Sequence, residues 1–115
     1  MARQAPARGE VWDADLNPPR VHEQGGTRPV LVVSVDPFNQ GASGLVIVVP
    51  ISSKDKRVRS QVAIDPLDGG LDLRSFAKCE AVRSISVDRL IRCRGTLSPT
   101  VLSEVELRLR FLMGL

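Results

Sequence analysis

The sequence predicts a small, mainly antiparallel β-barrel followed by one C-terminal α-helix. Several short β-branched or alternating segments are separated by glycine- and proline-rich turns, as in small sheets and barrels. The end of the chain instead places apolar residues three and four positions apart, which is the spacing of one helix face. With 115 residues, of which 43% are hydrophobic, the chain is long enough for one domain with a modest core.

The first half of the chain contains three predicted strands. Residues 9–15 alternate around Trp12 and end before an Asn-Pro-Pro stop. Residues 30–35, apart from Ser34, and residues 45–49 are apolar and rich in β-branched side chains, which is typical of strands buried on both faces. Pro50 is expected to end the third strand, because proline cannot donate a ladder hydrogen bond.

The second half contains three more predicted strands, at residues 61–64, 76–84 and 92–97. Residues 86–90 are expected to form one helical turn between the last two. Two polar loops, after the first and third strands, are long enough to meet over one end of the barrel.

The closing helix has clear start and stop signals. Ser98 is the expected N-cap, Pro99 the first helical residue and Gly114 the C-cap. The side that faces the barrel is predicted to consist of Leu102, Val105, Leu109 and Leu112.

The charge and aromatic content indicate which partners the chain can bind. A formal net charge of +3 suits a polyanion. Only three of the 16 basic residues are lysines, and the planar fork of arginine grips phosphate with two hydrogen bonds. Aromatic residues make up 3% and tyrosine is absent, which argues against base-stacking platforms. If nucleic acid binds, phosphate contacts and shape are expected to dominate.

The two cysteines, Cys79 and Cys93, predict neither a disulfide framework nor a zinc site, because two thiols are too few for either. The single histidine, His22, is far from both in sequence, so a catalytic cysteine would lack its base. Both thiols are therefore expected to be reduced and buried on strands, and no metal or other cofactor is expected.

Residues 1–8 are predicted to be a disordered basic arm and residues 9–115 a single domain. The arm lacks the apolar centre of a signal peptide, and no apolar run reaches the length of a membrane span. The protein is therefore expected in the cytoplasm.

Two segments carry residues suited to chemistry. The first runs from His22 to Arg28, which stands at the start of a buried strand, just after paired glycines that allow close approach of a ligand. The second is Ser52 and Ser53, at the exit of another buried strand. Four basic residues follow it, Lys54, Lys56, Arg57 and Arg59. Taken alone, most of these are ordinary loop or surface residues.

In combination, these segments resemble the MazF/PemK toxin family. The resemblance extends from about Arg8 to the C-terminus and rests on residues 8–12, 15–18, 22–24, 28–33, 49–53 and 77–85. It implies an SH3-like barrel with an appended helix, shared with the CcdB toxins, and a homodimer. It also implies sequence-specific cleavage of single-stranded RNA such as mRNA. The implied partner is a MazE-like antitoxin with an acidic tail that blocks the RNA groove, and DNA would be contacted only through that antitoxin.

The same resemblance assigns catalytic roles to Arg28, Ser52 and Glu23. Many members have threonine where this chain has Ser52; serine keeps the hydroxyl but loses the methyl group that restricts its rotamer. The residues expected to contact RNA are His22, Gln24, Thr27, Ser53, Lys54, Lys56, Arg57 and Arg59.

RNA carries its own nucleophile, so such a site needs few groups and no metal. Attack by the 2′-OH would give a 2′,3′-cyclic phosphate and a 5′-OH end. Arg28 can stabilise the developing charge, and Ser52 can bond a phosphate oxygen. Arginine stays protonated, so Glu23 or His22 is the better candidate for the base, and the sequence leaves that choice open.

Two other functions remain as alternatives. CcdB-type relatives share the fold but poison DNA gyrase by binding; that activity is associated with a C-terminal Trp-Gly signature, which is absent from residues 111–115. The second alternative is a barrel that binds RNA without cleaving it.

Overall fold

The computed structural model describes residues 5–16 and 26–115, which form seven antiparallel strands and two helices. The strands are β1 (Glu10–Asp15), β2 (Thr27–Val32), β3 (Leu45–Ser52), β4 (Gln61–Ile64), β5 (Ser75–Lys78), β6 (Arg83–Ser86) and β7 (Leu90–Thr96). The helices are α1 (Asp36–Asn39) and α2 (Pro99–Met113). The predicted class, mainly antiparallel β with a C-terminal helix, is confirmed.

The sheet is an open path rather than the closed barrel expected from the sequence. Its strands follow the order β4-β5-β3-β2-β1-β7, and β6 also pairs with β3. Within the described residues β4 and β7 are not paired with each other. Instead α2 packs against β4, and a 3₁₀ turn at Asp68–Gly70 packs against β7, so other elements cover the two edges that a barrel would join.

The core consists of two clusters, because successive residues of a strand point to opposite faces of the sheet. Leu31 belongs to the cluster that packs under α2 with Val105. Its neighbours Val30 and Val32 belong to the second cluster, against which Trp12 is packed. The continuous apolar runs of β2 and β3 thus reflect burial on both faces, as predicted.

Pro50 does not end the third strand, and that prediction is wrong. β3 continues to Ser52, and Pro50 pairs with Val30 on β2. On its other edge, β3 pairs with β6 up to Val48 and with β5 from Ile51 onward. Pro50 lies at this change of partner, where a missing ladder donor is tolerated.

Residues 76–84 form two strands, not the single predicted one. β5 ends at Lys78, a 3₁₀ turn occupies Cys79–Ala81, and β6 follows. From the pair Ser52↔Phe76 to the pair Val48↔Arg83, β3 runs back by four residues while its partner chain advances by seven. Three residues of the partner chain are therefore inserted between the two pairings. The sequence pattern does not reveal this turn. Cys79 lies within the turn but is buried, so buried and exposed positions continue to alternate there as they would in a single strand.

The helix α2 begins and ends where the sequence predicts, with Ser98 at the N-cap position, but the Ser98 side chain does not bond a helix N–H. The side chain of Ser98 donates to Asp68 Oδ2 (2.7 Å) and its backbone N–H donates to Asp68 Oδ1 (2.8 Å). Gly114 adopts the left-handed conformation of a C-cap, with φ of 70°. Of the predicted inner face, Val105 is buried, whereas Leu112 is 45% exposed.

The part of the predicted arm that the structure describes, residues 5–8, packs against the domain and is not disordered. Pro6 is buried, and its carbonyl accepts a hydrogen bond from Asn39 Nδ2 (3.1 Å). The guanidinium of Arg8 forms an ion pair with Glu106 on α2. These long-range contacts hold the chain entering β1.

Other local expectations have mixed outcomes. β2 begins at Thr27, three residues earlier than predicted, and the helical turn expected at 86–90 is a 3₁₀ turn at Val87–Arg89. Cys79 is buried, but Cys93 is exposed on β7, so the prediction of two buried thiols is wrong for Cys93. No helix among the described residues is long and apolar enough to cross a membrane.

Candidate functional site

A cavity of about 200 Å³ lies where β2 begins and β3 ends. It brings together residues far apart in sequence. Its described lining consists of Arg28, Pro29, Ile51, Ser52, Ser53, Leu71, Asp72, Leu73, Ser75 and Arg94.

Arg28 is the second residue of β2, and its backbone is held in the sheet opposite Ala14 of β1. The following Pro29 restricts the backbone further through its fixed φ. The side chain is half-buried, so its stem is confined while the cavity remains accessible to a ligand. Arg28 thus supplies a positively charged donor group from a rigid base.

Ser52 is the last residue of β3 and is paired with Phe76 of β5. Its Oγ accepts a hydrogen bond from the backbone N–H of Lys54 (3.1 Å). A hydroxyl that accepts one bond can still donate its own proton. Ser52 can therefore donate to an anionic oxygen in the cavity, and Ser53 lines the same space.

Arg94, on β7, is a site residue that the sequence analysis missed. Its Nη1 lies 3.3 Å from both carboxylate oxygens of Asp13, and its Nη2 lies 3.2 Å from Asp72 Oδ2. Its Nε is buried and has no hydrogen-bond partner among the described residues. The sequence shows Arg94 only as one of two alternating arginines on a strand, with no sign that it reaches a cavity.

The basic loop after β3, residues 53–60, contributes little to this cavity. Lys54, Lys56 and Arg57 are exposed and are not among its lining residues. Arg59 borders a separate groove beside Phe111 of α2. These four cations, which are expected to contact RNA, are therefore not part of the cavity. They lie on the surface, in the loop that directly follows β3 in sequence.

The remaining predicted site residues either do not line the cavity or lie outside the described residues. Thr27 is exposed on β2 opposite Asp15 and does not line the cavity. His22, Glu23 and Gln24 lie outside the described residues. Arg28, Ser52 and Ser53 are thus the predicted site residues that the structure brings together.

The lining of the cavity contains groups suited to holding an anion. Arg28 and the two serine hydroxyls supply hydrogen-bond donors of the kind that bind phosphate oxygens. The same lining includes the carboxylate of Asp72, which offers acceptors, and Arg94, whose charge is compensated by Asp13 and Asp72. One cavity therefore combines hydrogen-bond donors with a carboxylate acceptor.

Comparison with known proteins places this geometry in context. Residues 7–113 match the family described as "PemK-like, MazF-like toxin of type II toxin-antitoxin system". The chain is 35% identical over 113 residues to the endoribonuclease MazF9 of Mycobacterium tuberculosis, covering 94% of this chain and 96% of that one. It is 36% identical over 104 residues to the endoribonuclease PemK of Escherichia coli, covering 85% and 77% of the two chains.

A solved structure has the same fold. A chain in the crystal structure of MazE-MazF from Deinococcus radiodurans superimposes with a TM-score of 0.81 and 29% identity. The superposition covers 98% of this chain and 99% of that one. The strand order and closing helix described above are therefore shared along nearly the whole length of both chains.

Proposed function

The chain belongs to the PemK-like, MazF-like toxins of type II toxin–antitoxin systems, and we propose from this premise that it is an endoribonuclease neutralised by a cognate antitoxin. The proposed substrate is single-stranded RNA, including mRNA, cut at short specific sequences. The relatives named as endoribonucleases align with most of this chain, which supports carrying the activity over.

The observation that carries the proposal is the position of Arg28 and Ser52 on one cavity. They are 24 residues apart in sequence, and each occupies the end of a buried strand. A guanidinium and a hydroxyl on rigid strands are suited to stabilising a phosphorane-like transition state.

In the proposed reaction, the 2′-oxygen bonds to the adjacent phosphorus and the bond from phosphorus to the 5′-oxygen breaks. The 2′-OH loses a proton, and the leaving 5′-oxygen gains one. Arg28 would bind the non-bridging oxygens as negative charge accumulates, and Ser52 would donate to one of them. Glu23 and His22 both remain candidates for the proton acceptor. No step requires a metal ion, because the nucleophile belongs to the RNA.

We propose that the active form is a cytoplasmic homodimer and that a MazE-like antitoxin inhibits it. The antitoxin is expected to place acidic side chains where RNA phosphates bind. The net charge of +3 of this chain complements such a segment. Any contact of the complex with DNA would come through the antitoxin.

Incubation of purified protein with a long RNA in excess EDTA tests the activity. We expect discrete cuts with cyclic-phosphate and 5′-OH ends. Arg28→Ala and Ser52→Ala should fold normally and cleave about 100- to 1,000-fold more slowly, as expected for loss of one transition-state donor. Arg28→Lys should also be strongly impaired, because a point charge cannot replace the fork.

Arg110→Ala is the matched control, since Arg110 is exposed on α2 and does not line the cavity. It should cleave like the parent. Wild-type rates in Arg28→Ala would contradict the catalytic assignment. Intact RNA together with inhibition of gyrase supercoiling would favour the CcdB-like alternative.

A further inference from the structure

The part of the cavity lining formed by Leu71, Asp72, Leu73, Ser75 and Arg94, called the Asp72 wall below, has no role in the proposed transphosphorylation. From its geometry we propose that Asp72, held in place by Arg94, recognises one RNA base that carries an exocyclic amino group. This inference rests on the proposed function and specifies its substrate.

Asp72 belongs to a network of four charged side chains. Asp13, which is 14% exposed, contacts both Arg92 and Arg94, and Arg94 is 18% exposed. Arg94 in turn contacts Asp72, which is 83% exposed. The outer carboxylate of Asp72 therefore lies beside the guanidinium of Arg94 and still faces solvent. Its remaining acceptor capacity is available to a ligand.

The backbone around Asp72 is fixed by a close approach that requires glycine. Gly70 has φ of 74°, and a Cβ there would lie 2.2 Å from the carbonyl oxygen of Arg94. Gly69 and Gly95 are also in close backbone contact. The chain entering Asp72 therefore lies directly against β7, next to Arg94.

The chemistry of this wall favours a base over a phosphate. A carboxylate repels phosphate but accepts hydrogen bonds from amino groups, and the bases of single-stranded RNA present their edges for such contacts. Leu73, which is 65% exposed, adds apolar surface next to Asp72 that is suitable for the plane of a ring, whereas Leu71 is buried in the core. The cavity of about 200 Å³ is smaller than common pockets for whole small molecules, which run from about 300 Å³ upward, so it suits one base and its phosphate.

Adenine, cytosine and guanine each carry an exocyclic amino group with two N–H donors, whereas the pairing edge of uracil has one donor, N3–H, between two carbonyl oxygens. A carboxylate oxygen of Asp72 that accepts from N3–H brings the second oxygen against one of these carbonyls, and both of those acceptors are left unsatisfied. The proposed subsite therefore discriminates against uracil at one position of the cleavage motif.

The test begins with the cleavage motif of the parent protein, obtained by sequencing the ends of products from a long RNA. Short RNAs that differ only at one motif position, with all four bases at each position, then give ratios of kcat/KM. At one position we expect uracil to be disfavoured in the parent. Asp72→Asn keeps one acceptor and adds an amide donor that can bond a uracil carbonyl. It should reduce the discrimination at that position by about 5- to 150-fold, the range of a base-edge contact.

Asp65→Asn is the matched control, because Asp65 is also exposed and paired with an arginine, Arg74 (3.8 Å), but does not line the cavity. Its base ratios should equal those of the parent. Arg94→Lys tests the positioning role: it keeps the charge but cannot contact Asp13 and Asp72 as a fork, so discrimination should fall at the same position as in Asp72→Asn.

Unchanged ratios at every position in Asp72→Asn and Asp72→Ala would overturn the proposal. An equal loss of cleavage on all RNAs would also overturn it, because it would indicate a role in chemistry or folding. If the parent protein does not cleave RNA, the proposed function fails. In that case the binding affinities for the same RNAs are measured by fluorescence anisotropy. Their ratios test base recognition by Asp72 independently of cleavage.

Discussion

At the scale of single residues, the two cysteines show how burial determines chemistry. Cys79 is completely buried in the turn between β5 and β6. Burial, reinforced by the negative charge of Glu80, raises the pKa of its thiol from 9.0 to about 11. The pKa of the Cys93 thiol is also raised, first by its partial burial and then by the negative charge of Glu10, although the Cys93 residue as a whole is exposed. Neither thiol has the lowered pKa of a nucleophilic cysteine.

The raised pKa of Cys79 predicts a loss of stability in alkaline solution. The unfolded state loses this proton near pH 9.0 and the folded state only near 11, so the free energy of unfolding should fall as pH rises through that interval. The decrease should be roughly 1–2 kcal/mol. Few other groups titrate there, because the chain has no tyrosine and three lysines.

Urea denaturation at several pH values measures this decrease. Cys79→Ala is the control, since it lacks the thiol and should show a shallower decline whatever its stability at neutral pH. Equal declines in the two proteins would show that ionisation of Cys79 does not limit stability.

At the scale of elements, the basic loop is held at its base while its cations point into solvent. Arg108 Nε on α2 donates to the carbonyl of Arg59 (3.1 Å). The Ser60 hydroxyl (2.6 Å) and Gln61 Nε2 (2.8 Å) donate to the carboxylate of Glu80. Partial burial tends to raise the pKa of Glu80, but these hydrogen bonds outweigh it and the net shift is downward. These hydrogen bonds are made by the backbone carbonyl of Arg59 and by the side chains of Ser60 and Gln61, not by the cationic side chains of the loop. The cations can therefore be replaced without breaking the contacts that hold the loop.

Replacing Lys54, Lys56, Arg57 and Arg59 together by serine should therefore weaken RNA binding without unfolding the protein. Each cation that contacts a phosphate of a single strand contributes about 0.7 to the slope of log affinity against log salt concentration. With all four engaged, the slope should flatten by about 3. Fluorescence titrations over a range of salt concentrations measure the slope, and identical slopes for mutant and parent would show that the loop is only solvated.

At the scale of the whole molecule, the C-terminal end of α2 exposes several large apolar side chains. Phe111 is 85% exposed and Leu115 is 83% exposed, and Leu107 and Met113 are also largely exposed. Phe111 lines a groove with Val58 from the basic loop. Contiguous exposed apolar side chains of this kind commonly mark a protein interface.

We therefore expect a C2 homodimer for which RNA and antitoxin compete. Light scattering at micromolar concentration should give twice the 12.5 kDa chain mass. Phe111→Asp should lower the dimer fraction, with Arg83→Ala, at an exposed position on β6 rather than on α2, as the control. A fully active monomer would contradict the dimer, and simultaneous binding of RNA and intact antitoxin at both halves of one dimer would contradict the competition.

Local patterns were sufficient for much of the fold. Strand periodicity located β1 and β4 and the buried runs of β2 and β3, and the Ser98-Pro99 start with the Gly114 stop located α2. Such signals depend on residues within a few positions of each other, which is why they can be read along the chain. The family resemblance added Arg28 and Ser52 as a pair, although no spacing rule connects them.

Other features depend on contacts between distant segments, which no local pattern encodes. Pro50 lies inside β3 because the second edge of that strand changes partner there, and the turn at Cys79–Ala81 exists because β5 and β6 pair with β3 in different registers. Arg94 lies beside Asp13 because β7 pairs with β1, and it lies beside Asp72 because the turn at Asp68–Gly70 packs against β7. Register and long-range ion pairing are properties of the assembled sheet, so this side of the site became visible only in three dimensions.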